Sequence, residues 1–482
     1  MMPADRKPAD RKPADRKPAD RKPADRKPAD RSSLPPLGEL APFQFPEIRR
    51  GALGSGLRVW TIEHRAVPLT SLFVLVRRGS AADPDGREGL AAMVGDLLDE
   101  GCGDLDALAF HEALGRIGAQ LETEVGSDAS LLGLTVLSRF AERGAALLAD
   151  MIRRPRLDER DFDRVRDLRL NRLVQIRDMP PALADRAFTE LVYRGHPYGH
   201  LSIGSERGLR AMTPDDVRAY HSASYAPSNV TVIAAGDGSH AELTALVARV
   251  FDDWTAGPLP VPDDSAALAM PPPPVARLGL LHKAGAAQSE LRIGHMSVPR
   301  SAPDYLHLLV LNMILGGQFV SRINMNLRED KGYTYGARTG FDARRGPGPF
   351  MLQASVQSDA TAAAIRESIS EITMVRGERP VTREELETGR AALTRGYPRN
   401  FETAEQIARA ATQMALHDLP EDYYTTFVPQ VLALDEQAVT EAARRHLDPS
   451  RLLTVIVGDR DRVGASLATL GLGDPLDLGV PS

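Results

Sequence analysis

The sequence predicts an α+β protein built from two homologous α/β-sandwich domains, each an antiparallel-rich sheet covered by helices. Three observations point there. A Pro-rich stretch without periodicity, "GPLPVPDDSAALAMPPPP" (257–274), divides the chain and reads as a linker. The two sides end alike: "VRAYHSASYAPSNVTVIAAGD", Val217 to Asp237, aligns without a gap on "VTEAARRHLDPSRLLTVIVGD", Val439 to Asp459. Within each side, strand patterns come first and helix patterns follow, which favours a sandwich over alternating βαβ units.

In order along the chain, residues 1–44 read as a disordered tail and leader. "PADRK" occurs five times and "PADR" once, with Pro and charge in every unit and no large apolar side chain to offset the entropy of ordering. The first domain is expected over 45–256. "LRVWTIEH" and "LFVLVRRG" are its opening strands, Gly89 to Leu98 is an apolar helix, and helical patterns follow at 140–152, 158–178 and 182–192. Thr213 before Pro214 is an N-cap and first-turn pair for the helix before the closing strand. The second domain, 275–465, repeats the plan. "RLGLLHK" and "ELRIGHMSV" are strands, a helix lies near 304–315, and further helices lie at 360–376, 383–395 and 403–417. Residues 466–482 are read as a C-terminal tail.

A chain of 482 residues with 43% apolar and 26% charged residues is that of an ordinary soluble globular protein. Net charge is −6 and the repeat tail is basic, so the folded part is more acidic still. That argues against a nucleic-acid role and weakly favours basic ligands. The single cysteine, Cys102, excludes an internal disulfide framework. There is no signal-peptide core in the first 30 residues and no apolar run of the roughly 18 residues that span a bilayer, so no membrane role is expected. A cytoplasmic location is the expectation, with the periplasm left open.

The chemistry-bearing stretch is "RINMNLREDKGYTYGAR", 322–338, which sets Arg328 and Tyr335 on either side of a charged Gly turn. Taken singly, Arg328 reads as a helix-end cation and Tyr335 as a strand aromatic. The internal repeat separates the possibilities. Pairing Gly118 with Gly332 sets Leu114 opposite Arg328 and Leu121 opposite Tyr335. The same corner is thus built in the first domain without either residue, so the fold does not require the pair. Two histidine patterns carry less. "HPYGH" spaces His196 and His200 as a helical zinc pair would, but Pro197 and Gly199 disfavour a helix, and a loop with capping roles is the expectation. "HEALG", from His111, has Gly115 where a zincin needs its second His, and reads as a surface helix. "LGGQF" reads as a turn at a helix end rather than a nucleotide loop.

With its two-repeat plan, "HPYG" at His196–Gly199, the "APSNVTVIAAGD" strand and "LGGQFVSRINMNLREDKGYTYGA" from Leu315, the chain from about 45 to 465 resembles the pitrilysin/insulinase-type metallopeptidases, the inverzincins. The likeness is to their processing-peptidase-like bacterial branch. The resemblance implies half of a clamshell around a peptide chamber, in which one half carries H-x-x-E-H with a distal Glu and the other an Arg/Tyr pair. Here "GLAAMVGD" sets Ala92, Gly95 and Asp96 where the first His, the Glu and the second His are expected, and no carboxylate stands near Asn171–Leu173 for the distal ligand. It follows that this chain binds no metal and takes no cofactor, and that zinc belongs to a homologous H-x-x-E-H partner subunit. Arg328 and Tyr335 are then the substrate-binding and catalytic residues that complement the partner's site on a peptide substrate. The alternative is an inactive scaffold or peptide-binding module of the same fold.

Overall fold

The computed structural model describes residues 43–255 and 264–479. The repeat tail and part of the linker therefore lie outside the described residues. The first domain runs β1 Ile48–Ala52, β2 Arg58–Glu63, β3 Leu69–Val76, α1 Leu90–Leu98, a small hairpin of β4 Gly101–Cys102 and β5 Leu105–Asp106, α2 Ala107–Arg116, β6 Gln120–Val125, β7 Ser130–Leu137, α3 Ala141–Arg153, α4 Glu159–Ile176, α5 Pro180–Tyr193, α6 Glu206–Ala211, α7 Pro214–Ser224, β8 Val230–Gly236 and α8 His240–Phe251. After a short helix in the linker, α9 Ser265–Leu268, the second domain runs β9 Leu278–His282, β10 Gln288–Met296, α10 Tyr305–Leu315, α11 Arg322–Asn324, β11 Thr334–Phe341, β12 Pro349–Gln357, α12 Thr361–Met374, α13 Arg383–Thr394, α14 Ala404–Leu416, α15 Tyr423–Ala433, α16 Glu436–His446, β13 Leu453–Gly458, α17 Arg460–Leu467 and β14 Leu476–Leu478.

The repeat read in the sequence is the repeat of the fold. The first sheet has the order β1-β2-β8-β3-β7-β6 and the second β14-β9-β13-β10-β12-β11. Both are antiparallel except for β2 with β8, and β9 with β13 and β14. The sheets differ at one edge. In the first domain the edge is a hairpin strand that precedes β2. In the second, residues read from the sequence as a tail supply β14, which pairs parallel to β9 and seats Leu478 against Gly279. Three residues with one apolar anchor are too short a pattern to stand out in a sequence. Gly118 and Gly332, paired by the repeat, have φ of +62° and +64°, so the same left-handed turn is built twice.

Each sheet has two apolar faces, because its central strands are buried from end to end. On one face of the first sheet, Val59, Leu72, Val74, Leu132, Val232 and Ala234 pack on that domain's own helices. The alternate residues, Ile62, Phe73, Leu75, Ile233 and Ala235, face the other way. They meet α14 of the second domain, whose Ala404, Ile407, Ala408, Ala411 and Ala415 form a narrow stripe. The second sheet is covered reciprocally. Leu183, Ala184, Ala187, Phe188 and Val192 of α5 lie on Leu281, Met296, Leu453, Val455 and Val457. The two domains thus exchange helices. No helix among the described residues is long and apolar enough to cross a membrane.

This exchange makes a direct prediction. Residues 43–255 and 264–479 expressed separately should each lack a cooperative melt, and co-expression should recover a complex that has one. A cooperative melt of either piece alone would contradict it.

Candidate functional site

Arg328 and Tyr335 are brought to one place by two local irregularities. α11 does not continue as an α-helix; Met325–Asp330 form a π-helical turn that carries Arg328 at its end. The chain then turns through Gly332 into β11, where the register with β12 shifts between Thr334 and Ala337. That bulge holds Tyr335 off the sheet, with 92% of its surface exposed and its hydroxyl free of any partner among the described residues. Asn324 ties the parts together. It is buried; its Nδ2 donates to the carbonyls of Gln318 (3.1 Å) and Ala337 (2.8 Å), and its Oδ1 accepts from the Ala337 N–H at 2.9 Å. Asn326 pins the π-turn to α12 through Glu367 and Glu371.

The Arg328 guanidinium lies 4.1 Å over the Phe319 ring, and its Nε is 3.5 Å from Glu329. Phe319 and Val320 are exposed on the loop before α11. Gly316 and Gly317 start that loop and pack tightly on Thr339 and Asn312, so "LGGQF" is the turn expected. Both site residues line a cavity of about 820 Å³ with Gln318, Glu290, Arg292 and Gln353. On its floor Arg292 is buried and fully engaged. Its Nε donates to Asp185 of α5 at 2.5 Å and its Nη2 to the Pro181 carbonyl at 3.0 Å, with Glu290 3.4 Å away. The floor acids are thereby occupied, while at the mouth the Tyr335 hydroxyl and the Arg328 Nη groups have no partner among the described residues. Such an arrangement can hold the carbonyl or carboxylate oxygens of a peptide.

The residues that the resemblance sets in the places of zinc ligands lie on α1. Ala92 and Gly95 offer no lone pair. Gly95 borders a cavity of about 330 Å³ with Asp96, Asp99 and Glu100, and a Cβ there would stand 2.8 Å from a methyl of Val125 of β6, which would have to shift to admit one. Asp96 already has a cation. Arg169 of α4, itself buried, donates from Nε to Asp96 at 2.8 Å and from Nη1 toward the carbonyls of Ser202 (3.4 Å) and Ile203 (3.3 Å). The donor set does not fit a zinc ion, and a guanidinium joins α1 to α4 where a metal would. Among the described residues no group of three His, Cys, Asp or Glu is placed to hold one. Beside this pair, burial pushes the Asp99 carboxyl up to about 6, with Glu100 adding repulsion, and burial raises Asp96 against the pull of Arg169.

The other histidines are structural, as their sequence context suggested. His196 accepts at Nδ1 from the Tyr198 N–H (3.1 Å) and donates from Nε2 to Ala269 of the linker (3.0 Å). His200 meets Asp83 at 3.1 Å, and Asp83 caps α1 by accepting from the N–H groups of Gly89 and Ala91, each at 2.7 Å. His111 is exposed on α2. Sequence reasoning missed Asn324, Arg292 and Arg169. Each acts across a long sequence separation or through backbone carbonyls, which no local motif signals.

Two measurements check the account of α1. Arg169→Met leaves Asp96 and two carbonyls without their donor and should cost about 2–4 kcal/mol in urea unfolding. Asp96→Asn should cost less, because Asp96 keeps 49% of its side-chain surface exposed. For Asp99, a raised native value means the folded state holds a proton that the unfolded chain has released, so its contribution to stability falls as pH rises from about 4 to about 6. Asp99→Asn should therefore raise Tm at about pH 7.5 and leave it unchanged at about pH 3.5; a lower Tm at the higher pH would contradict this.

The comparisons with known proteins agree with the geometry. The insulinase (peptidase family M16) model matches residues 58–205, and the model described as the peptidase M16 inactive domain matches 211–393. An uncharacterized zinc protease of Mycobacterium tuberculosis is 28% identical over 333 residues, 69% of this chain and 74% of that protein. A probable mitochondrial-processing peptidase subunit beta of Arabidopsis thaliana is 22% identical over 213 residues, 44% of this chain and 40% of its own. The crystal structure of a peptidase M16 inactive domain from Pseudomonas fluorescens superposes with a TM-score of 0.80 at 24% identity, covering 86% of this chain and 98% of that one. With two models of one family covering more than half of its length and the fold to match, the chain belongs to the insulinase, or M16, peptidase family.

Proposed function

We propose that this chain is the substrate-holding, non-zinc-binding subunit of a two-subunit zinc-dependent peptidase that cleaves unfolded peptides. A homologous subunit bearing H-x-x-E-H would hold the metal and supply the attacking water. This chain would close on it as the other half of a clamshell. The observation that carries the proposal is the pairing of opposites. The Tyr335 hydroxyl and the Arg328 Nη groups have no partner among the described residues and stand at the mouth of an 820 Å³ cavity, while on α1 Ala92 and Gly95 offer no ligand and Asp96 is held by Arg169. The Arabidopsis relative, by its name a subunit, supports the partnership. The cytoplasm is the compartment we assign to it.

The roles follow from the chemistry of the two side chains. Peptide hydrolysis builds negative charge on the scissile carbonyl oxygen, and the Tyr335 hydroxyl, exposed and unpaired, can donate to it as that charge grows. The Arg328 fork can hold a neighbouring carbonyl or carboxylate and so set the peptide's register. Phe319, stacked under the guanidinium, limits its rotation.

In an assay with the H-x-x-E-H subunit, Tyr335→Phe should lower kcat by about 10²–10³ with KM nearly kept. Arg328→Ala should raise KM and lower kcat. Zinc content of the partner should not change. Wild-type turnover by both variants would instead support an inactive scaffold of the same fold.

A further inference from the structure

The groove that contains Arg328 and Tyr335 continues past them. α5 covers the second sheet over β10 and β13, and leaves the flank of β12 and β11 open. A second cavity of about 530 Å³ lies along this flank, lined by Phe188, Tyr193, Phe341 and Met351. Arg338 and Gln353 belong to both cavities, and they are a register pair across β11 and β12. Arg338 therefore stands at the junction of a polar cavity and an apolar one. It is exposed, and among the described residues no carboxylate lies within ion-pair distance of it.

The first domain shows what this position does when the fold alone uses it. In the sheet register the residue matching Arg338 is Glu122: Arg338 faces Gln353 of β12 as Glu122 faces Gly133 of β7, the bulge in β11 having shifted the count from the turn glycines. Glu122 pairs with Arg409 of α14 at 2.6 Å, and Glu124 with the same guanidinium at 3.0 Å. The exchanged helix thus closes the first groove by meeting an edge-strand charge with an opposite one. In the second domain the charge at this position is reversed, and the exchanged helix brings no free acid to meet it. Asp185 of α5 is committed to Arg292, which also has Glu290 beside it, and Asp342 is committed to Arg344.

We propose that Arg338 is a specificity residue that selects an acidic side chain in the bound peptide, next to a large apolar side chain seated in the cavity of Phe188, Phe341 and Met351. The proposal rests on the reading of this groove as a peptide site and adds the substrate class. It also reverses locally the preference for basic ligands that the overall negative charge suggests. An incoming carboxylate would be the counter-ion that Arg409 is to Glu122, and the Gln353 amide, without a side-chain partner among the described residues, can donate to the same group.

The test is peptide binding by this chain alone, read as fluorescence anisotropy with fluorescein-labelled twelve-residue Gly/Ser peptides carrying one Phe next to Glu, Gln or Lys. The wild-type chain should bind the Glu peptide about fivefold more tightly than the Gln peptide, and the Lys peptide least. The preference should shrink as salt is added. Arg338→Gln should abolish it without changing affinity for the Gln peptide, and Arg338→Glu should turn it toward Lys. Equal binding of Glu and Gln peptides by the wild type would overturn the acidic specificity and leave the peptide site standing. A preference that survives Arg338→Gln would assign it to another residue and overturn the role given to Arg338. Failure to bind any of the three would overturn the peptide site itself.

Discussion

Everything in this molecule depends on the exchange of α5 and α14. A sheet whose central strands are apolar on both faces needs cover on both. Each domain's own helices cover one face, and the other is covered by a helix that belongs to the opposite domain in sequence. Burial therefore couples the halves more tightly than the Pro-rich linker does. It also fixes what stays open. Because α5 is anchored by the Arg292–Asp185 pair over β10, no helix among the described residues lies over the open flank of β11 and β12.

The two domains treat their matching corners in opposite ways. In the first, each polar opportunity is consumed internally. Arg169 takes the α1–α4 crossing, Arg409 takes the edge strand, and Leu114 packs into the core. In the second, counted from the turn glycine, the position of Leu114 carries Arg328 and that of Leu121 the outward-held Tyr335, and beyond the bulge Arg338 stands at the register position of Glu122. A π-turn and a β-bulge, neither of which the first domain has at these positions, aim them into a cavity. Strained or irregular backbone is stable only where surrounding bonds enforce it, and here Asn324 and Asn326 do so.

Much of this was legible beforehand because it is periodic or repeated. The helices at 140–152, 158–178, 182–192, 360–376, 383–395 and 403–417 all form, within a few residues, since each has a long apolar stripe and a clear stop. The gapless match of Val217–Asp237 with Val439–Asp459 foretold two domains of one plan, and pairing Gly118 with Gly332 foretold a shared corner, which the matching sheets and the matching turns bear out. What stayed hidden depends on contacts distant in the chain. Nothing local marks α5 and α14 as exchanged, since an apolar stripe does not say which sheet it will meet. Nothing near Arg169 names Asp96 as its partner. Strand β14 is too short to have a pattern, and a π-turn has no sequence signature apart from the packing that imposes it.

The central claim is that a cation built into the chain has replaced the metal on α1, so that this subunit supplies donors and its partner supplies zinc. The most direct measurement is zinc content and zinc response of the purified chain by itself. The account predicts less than stoichiometric zinc after dialysis, and a Tm that added zinc does not raise. One tightly held zinc per chain, with a Tm that falls when a chelator removes it, would contradict the account.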